Sequence, residues 1–281
     1  MTDARLTERP PAPDALPLPV VDNHCHLEIG RDGRAATPVA DVVAEAASVG
    51  VDRLVQIGCD RRSARWTVQV VEEHPAVLGG VAIHPNEAPG HAQAGELDDV
   101  LAEIEQLAAH PRVRVIGETG LDYFRTGPDG VDAQQEAFRR HIDLAKRTGK
   151  VLQVHDRDAH DDVLRILAEE GAPDTVVMHC FSGDPEMARE CVRRGYLLSF
   201  AGTVTFRNAR GLRDALAVTP LEHLLVETDA PYLTPAPHRG RTNAPYLLPL
   251  TVRAMAATLA VAVPTLCETL SATSERVYGP W

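Results

Sequence analysis

The chain has 281 residues, 44% hydrophobic and 24% charged, a globular composition that argues against a disordered or fibrous protein and suits one large domain. Forty acidic residues against 28 basic ones give a formal charge of −12, so a polyanion is repelled at long range and needs a local site, such as bound divalent cations, to receive it. Cys25, Cys59, Cys180, Cys191 and Cys267 are scattered without CxxC spacing, which argues against a disulfide framework or a cysteine-rich zinc site and fits a reducing cytoplasm.

Residues 1–18 carry Pro10, Pro11, Pro13 and Pro17 with few large apolar groups, and are expected to form a disordered, Pro-rich leader before a single domain at 19–281. The first residues lack an apolar signal core, and no run approaches the roughly 18 apolar residues of a membrane span. A cytoplasmic protein without membrane contact is therefore expected. No obligate protein partner is inferred.

From residue 20 onward, short apolar runs alternate with longer amphipathic ones. Strands are expected at 20–26, 53–59, 77–84, 113–120, 151–157, 175–181, 196–202 and 223–229. Helices are expected at 38–50, which opens with proline after Thr37 and stops at Gly50, and at 132–150. A further helix is expected from about Pro264 to Val277. Eight continuous apolar strands separated by helices imply a parallel sheet covered by helices, and the number matches a (β/α)8 TIM barrel with an additional C-terminal helix.

The first strand ends in "HCH". Positions i and i+2 share a side, so His24 and His26 point together while Cys25 faces away. Other strands end alike: Glu118 on the fourth, His155 on the fifth, His179 on the sixth and Asp229 on the eighth. Barrel geometry converges such residues on one rim. Six ligands exceed what one tetrahedral ion needs and suit two ions sharing a carboxylate, with Glu118 the natural bridge. Imidazole with carboxylate suits Zn, Mn, Fe, Co or Ni more than a pure oxygen site suits Mg, and Mg is not excluded. Cys25 and Cys180 are expected to pack toward the helices, while Asp22 and Gln153, on the inward parity, could orient ligand histidines.

The motifs "VDNHCHL", "AIHPNEA", "VIGETGLDYF", "VHDRDA", "HCFSG" and "ETDAPYL" together resemble the TatD-like metal-dependent deoxyribonucleases, within the wider metallo-dependent hydrolase barrels. The resemblance covers roughly residues 20–277. It implies that His24, His26, Glu118 and Asp229 hold one metal, that Glu118, His155 and His179 hold the other, and that Asp229 acts on the attacking water. The last loop departs from the family pattern: its Arg-Asn-Glu-Pro run is replaced by Arg241, Thr242, Asn243, Ala244 and Pro245. Substrate contacts there are the part placed in doubt.

The activity this implies is hydrolysis of DNA phosphodiester bonds by a two-metal site, exonucleolytic, on single strands or DNA ends, with Asp229 and Glu118 as catalytic residues. His84, Arg157 and Arg241 are expected phosphate contacts. Tyr123, Phe124, Phe181 and Tyr232 are expected beside strand ends, where aromatics stack on bases or pack the rim. The rival is a hydrolase of the same barrel class acting on a small ester, lactone, amide or phosphotriester. Glu118 stands where many of those enzymes carry a modified lysine.

Overall fold

A computed structural model describes residues 9–30 and 35–281. Eight parallel strands run in chain order around one sheet: β1 Val20–Cys25, β2 Val51–Gly58, β3 Val77–Val81, β4 Val113–Asp122, β5 Val151–Arg157, β6 Val176–Met178, β7 Leu197–Phe200 and β8 Leu224–Val226. Helices alternate with them. An extra helix, Val263–Tyr278, follows the helix Leu248–Leu259. The expected TIM barrel with its additional C-terminal helix is the observed fold.

Strand alternation sorts the core into two layers. Val21, Val55, Ile57, Leu78, Val115, Val151, Val177, Leu197 and Leu225 fill the barrel interior with Tyr278. Their neighbours Val20, Leu54, Val77, Ile116, Leu152, Val176 and Leu224 face the helices. A leucine or valine buried in either layer contributes roughly 1.5–3 kcal/mol, so the barrel is a packed body whose free space lies at its ends.

The sheet closes between β8 and β1 beyond the end of β8. The Asp229 N–H donates to the His24 carbonyl (2.9 Å), and the His26 N–H donates to the Ala230 carbonyl (2.7 Å). Asp22 holds the same seam, accepting from the Thr228 N–H (2.8 Å) and the Thr228 hydroxyl (2.5 Å).

Two bulges aim the site. In β1, Asp22 pairs with Leu54 and Cys25 with Gln56, three residues against two. The extra residue turns His24 and His26 inward and leaves Cys25 in the outer core. It also breaks the parity expected between Asp22 and His24. In β4, Ile116 pairs with Leu152 and Thr119 with Val154, again three against two, which turns Glu118 and Asp122 toward the lumen. Gly120 lets β4 approach β5 so closely: its φ is +136°, and a Cβ there would lie 2.1 Å from the His155 carbonyl oxygen.

Strands six and eight are shorter than expected, ending at Met178 and Val226, so His179 and Asp229 lie in the loops just beyond. Cys180 has φ +44° and is partly exposed, because it sits on this turn and not in a strand facing the helices. Residues 9–18 also differ from the unpacked leader. Leu16 is buried, its N–H donates to the Val49 carbonyl (2.9 Å), and the Tyr246 hydroxyl donates to the Pro10 carbonyl (2.7 Å). The first eight residues of the expected leader lie outside the described residues. Among the described residues, no single helix is long and apolar enough to cross a membrane.

Candidate metal centre

The buried Glu118 carboxylate divides its two oxygens between two groups of histidines. Oε2 lies 3.6 Å from His24 Nε2 and 3.9 Å from His26 Nε2. Oε1 contacts His155 Nδ1 directly and lies 3.1 Å from His179 Nε2 and 3.4 Å from His84 Nε2. Asp229 Oδ1 closes the first group, 3.5 Å from His26 Nε2 and 3.8 Å from His24 Nε2. The structure thus brings together His24, His26, Glu118, His155, His179 and Asp229, with His84 beside them.

Each ring's second nitrogen decides what its first one can do, because a neutral imidazole carries one N–H and one lone pair. His24 Nδ1 lies 2.8 Å from Gln153 Oε1, His26 Nδ1 3.0 Å from the Ile57 carbonyl, and His179 Nδ1 2.8 Å from Glu227 Oε1. His155 Nε2 faces Asp122 Oδ2 at 3.4 Å. Every one of these partners can accept, so each ring, when neutral, can turn a lone pair to the centre. His84 is the reverse: its Nδ1 accepts from the Asn86 N–H (3.0 Å), leaving a proton on the nitrogen that faces Glu118.

His24 Nε2 and His26 Nε2 stand 3.2 Å apart, and His155 Nδ1 meets the Glu118 carboxylate. With the rings neutral, a cation would join these atoms, and imidazole nitrogens with carboxylate oxygens are the donors divalent metal ions take. The rings differ in protonation. Burial opposes charge on His26, His155 and His179, but the surrounding acidic groups outweigh it and raise all three above the ordinary histidine range, a proton standing where a metal cation would. Burial and the neighbouring His179 hold His24 well below the ordinary histidine range, in the neutral form a ligand needs. For Glu118, burial favours the neutral acid, but His179, His84 and His155 outweigh it and hold the carboxyl well below its ordinary range.

The anchors of the rings extend the site. Gln153 orients His24 as its parity suggested, whereas Asp22 bonds Thr228 and the β1–β8 seam. Glu227 and Asp122 escaped the sequence reading. Both lie within quoted motifs, "ETDAPYL" and "GETGLDYF", at even spacings from Asp229 and Glu118, and that alternation was the signal available. Cys59, just past β2, places Sγ 3.6 Å from Glu118 Oε2, a proximity that spacing could not reveal.

The rim is less convergent. Arg157 lies over the Phe124 ring, 3.9 Å from its centroid. Arg241 lies on the loop after β8, where its N–H donates to the His238 carbonyl (3.1 Å). Tyr232 approaches His26, ring centroids 6.2 Å apart. Tyr123 donates its hydroxyl to Asp162 (2.7 Å), and Phe181 is buried against Phe200, so both pack. Asn243, in the departing loop, donates to the Thr228 and Tyr232 carbonyls at 2.9 and 2.6 Å and so secures the segment that carries Asp229.

Residues 21–279 match the family model described as TatD related DNase. The chain is 48% identical, over 92% of its length and 98% of the relative's, to an uncharacterized metal-dependent hydrolase TatD of Mycobacterium tuberculosis. It is 39% identical to the uncharacterized metal-dependent hydrolase YabD of Bacillus subtilis, over 80% of this chain and 85% of that one. The solved structure of YjjV, a TatD homolog from Escherichia coli K12, superposes with a TM-score of 0.84 at 24% identity, covering 92% of this chain and 97% of that chain.

Proposed function

The chain belongs to the TatD related DNase family, and from that membership we propose that it is a divalent-metal-dependent hydrolase of DNA phosphodiester bonds that works from the ends of single strands. The observation that carries the proposal is the division of the Glu118 oxygens between two histidine groups that face one another across the carboxylate. His24, His26 and Asp229 with Oε2 would hold one ion, and His155 and His179 with Oε1 the other. Bound there, two divalent cations supply the positive charge that lowers the pKa of water and offsets the charge of a phosphoryl group.

The side chains account for the rest. Asp229, carried on a left-handed turn at φ +54°, accepts the proton of the attacking water as the new P–O bond forms and the bond to the leaving oxygen breaks. His84 offers Nε2–H to a phosphate oxygen, the donor role its Asn86 contact leaves open. Phe124 and Tyr232, 62% and 40% exposed, are the large hydrophobic side chains left in solvent among the described residues, and both lie on loops at the mouth. Aromatics so placed suit unpaired bases. Arg157 ends β5, and the loops after β4, β7 and β8 carry Arg125, Arg207, Arg239 and Arg241, cations that suit phosphate contacts.

Protein stripped by chelator and reloaded with Mn should digest single-stranded DNA and leave small esters, lactones and phosphotriesters intact. Hydrolysis of a small ester with the DNA left whole would overturn the proposal.

A further inference from the structure

Behind the metal centre, the end of the extra helix reaches the barrel interior. Tyr278 is buried among Val21, Val55 and the other interior residues. Its ring stands edge-on to Trp281, centroids 6.0 Å apart. Trp281 is anchored in turn: its indole N–H donates to the Ala76 carbonyl (3.0 Å), and the Arg53 guanidinium lies over its ring. The segment Tyr278–Trp281 therefore packs into the barrel from the side opposite the mouth.

The Tyr278 hydroxyl also meets the one amide that orients a ligand. Gln153 Nε2 donates to Tyr278 Oη (3.0 Å) and to the Asn23 carbonyl (2.8 Å), while Gln153 Oε1 faces His24 Nδ1 (2.8 Å). Both amide N–H groups are thus satisfied in a dry interior. A flipped amide would set its oxygen against the Asn23 carbonyl and its NH2 against the His24 Nδ1–H. Removing the hydroxyl leaves a buried N–H without a partner, and the amide gains a reason to turn toward other acceptors.

We propose that Tyr278 is a positioning residue for the metal centre, holding Gln153 so that His24 keeps its Nε2 lone pair on the ion. The proposal rests on metal binding alone and does not depend on which bond the protein cuts. Outer-shell partners of a ligand histidine typically change metal affinity about tenfold to a hundredfold; Tyr278 acts one contact further out, so a loss near the lower end is expected.

The test is Mn or Zn affinity of the full-length protein, measured by competition with a chromophoric chelator, in a double-mutant cycle of Tyr278→Phe and Gln153→Leu. Tyr278→Phe, which keeps the ring and removes only the hydroxyl, should weaken the metal about tenfold at unchanged circular dichroism. In the Gln153→Leu background the same change should move affinity less than about twofold. Unchanged affinity in the single variant, or an equal loss in both backgrounds, overturns the proposal. Should Tyr278→Phe fail to fold, Trp281→Ala replaces it in the cycle. It loosens the segment and keeps the hydroxyl, and the same pattern supports or overturns the role.

Discussion

Glu227 Oε1 stands 2.8 Å from His179 Nδ1, and the same oxygen accepts the Cys180 N–H at 2.8 Å. The carboxylate is fully buried, an expensive placement unless its charge is used. Holding the His179 N–H uses it: the ring's tautomer is fixed and Nε2 becomes a stronger donor toward the centre. Glu227→Gln should therefore weaken metal binding about tenfold to a hundredfold while the protein stays folded. Isothermal titration with Mn checks this, and an unchanged affinity would show that Glu227 serves packing only.

His84 and the four histidines proposed as ligands should separate experimentally. Because His84 turns a proton toward Glu118, His84→Phe should leave metal content intact and lower kcat/KM on single-stranded DNA by about a hundredfold, the usual loss for a charge-stabilising donor. His24→Phe should lose metal. Elemental analysis alongside the kinetics decides, and metal loss in the His84 variant would move that residue into the ligand set.

The mouth should read unpaired, charged strands. Phe124→Ala should weaken single-strand binding by about 1–2 kcal/mol through lost stacking. Arg157→Gln should flatten the dependence of log affinity on log salt by about 0.7 for one lost phosphate contact. Fluorescence anisotropy with a labelled oligonucleotide across a salt series measures both, and an unaltered slope would leave Arg157 as the partner of Phe124 alone.

His141 offers a test away from the metal. Its Nδ1 lies 2.7 Å from the Ala137 carbonyl, and its Nε2 accepts the Ile83 N–H at 3.1 Å. The ring is neutral and buried, and burial lowers its pKa from 6.5 to about 4. A depressed value means the unfolded chain takes up the proton first. The contribution is complete above pH 6.5 and is lost as pH falls toward 4. The swing is on the order of 3 kcal/mol. Denaturant unfolding between those pH values should show a steeper fall for the native protein than for His141→Gln, and parallel curves would contradict it.

Much of this was legible in the sequence because barrel strands are continuous apolar runs and their ends converge by topology. The six residues proposed as ligands are drawn from five strand ends, and alternation alone put His24 and His26 on one side. What alternation could not carry was its own interruption. The extra residue between Asp22 and Cys25 separates Asp22 from His24, and a bulge has no mark in a run such as "VVDNHC". Likewise, β6 and β8 stop early, so Cys180 escapes strand parity. Residues 9–18 look unpackable by composition, yet Leu16 is buried and bonded to Val49, and Tyr246 and Arg253 hold the Pro10, Asp14 and Ala15 carbonyls.

The shared carboxylate is the centre of the account, and metal stoichiometry tests it most directly. At saturating Mn, with excess removed, elemental analysis should find about two ions per chain in the native protein, as a bridged pair requires, and one or none in Glu118→Gln. A native protein that holds a single ion, or a Glu118→Gln variant that still holds two, would contradict it.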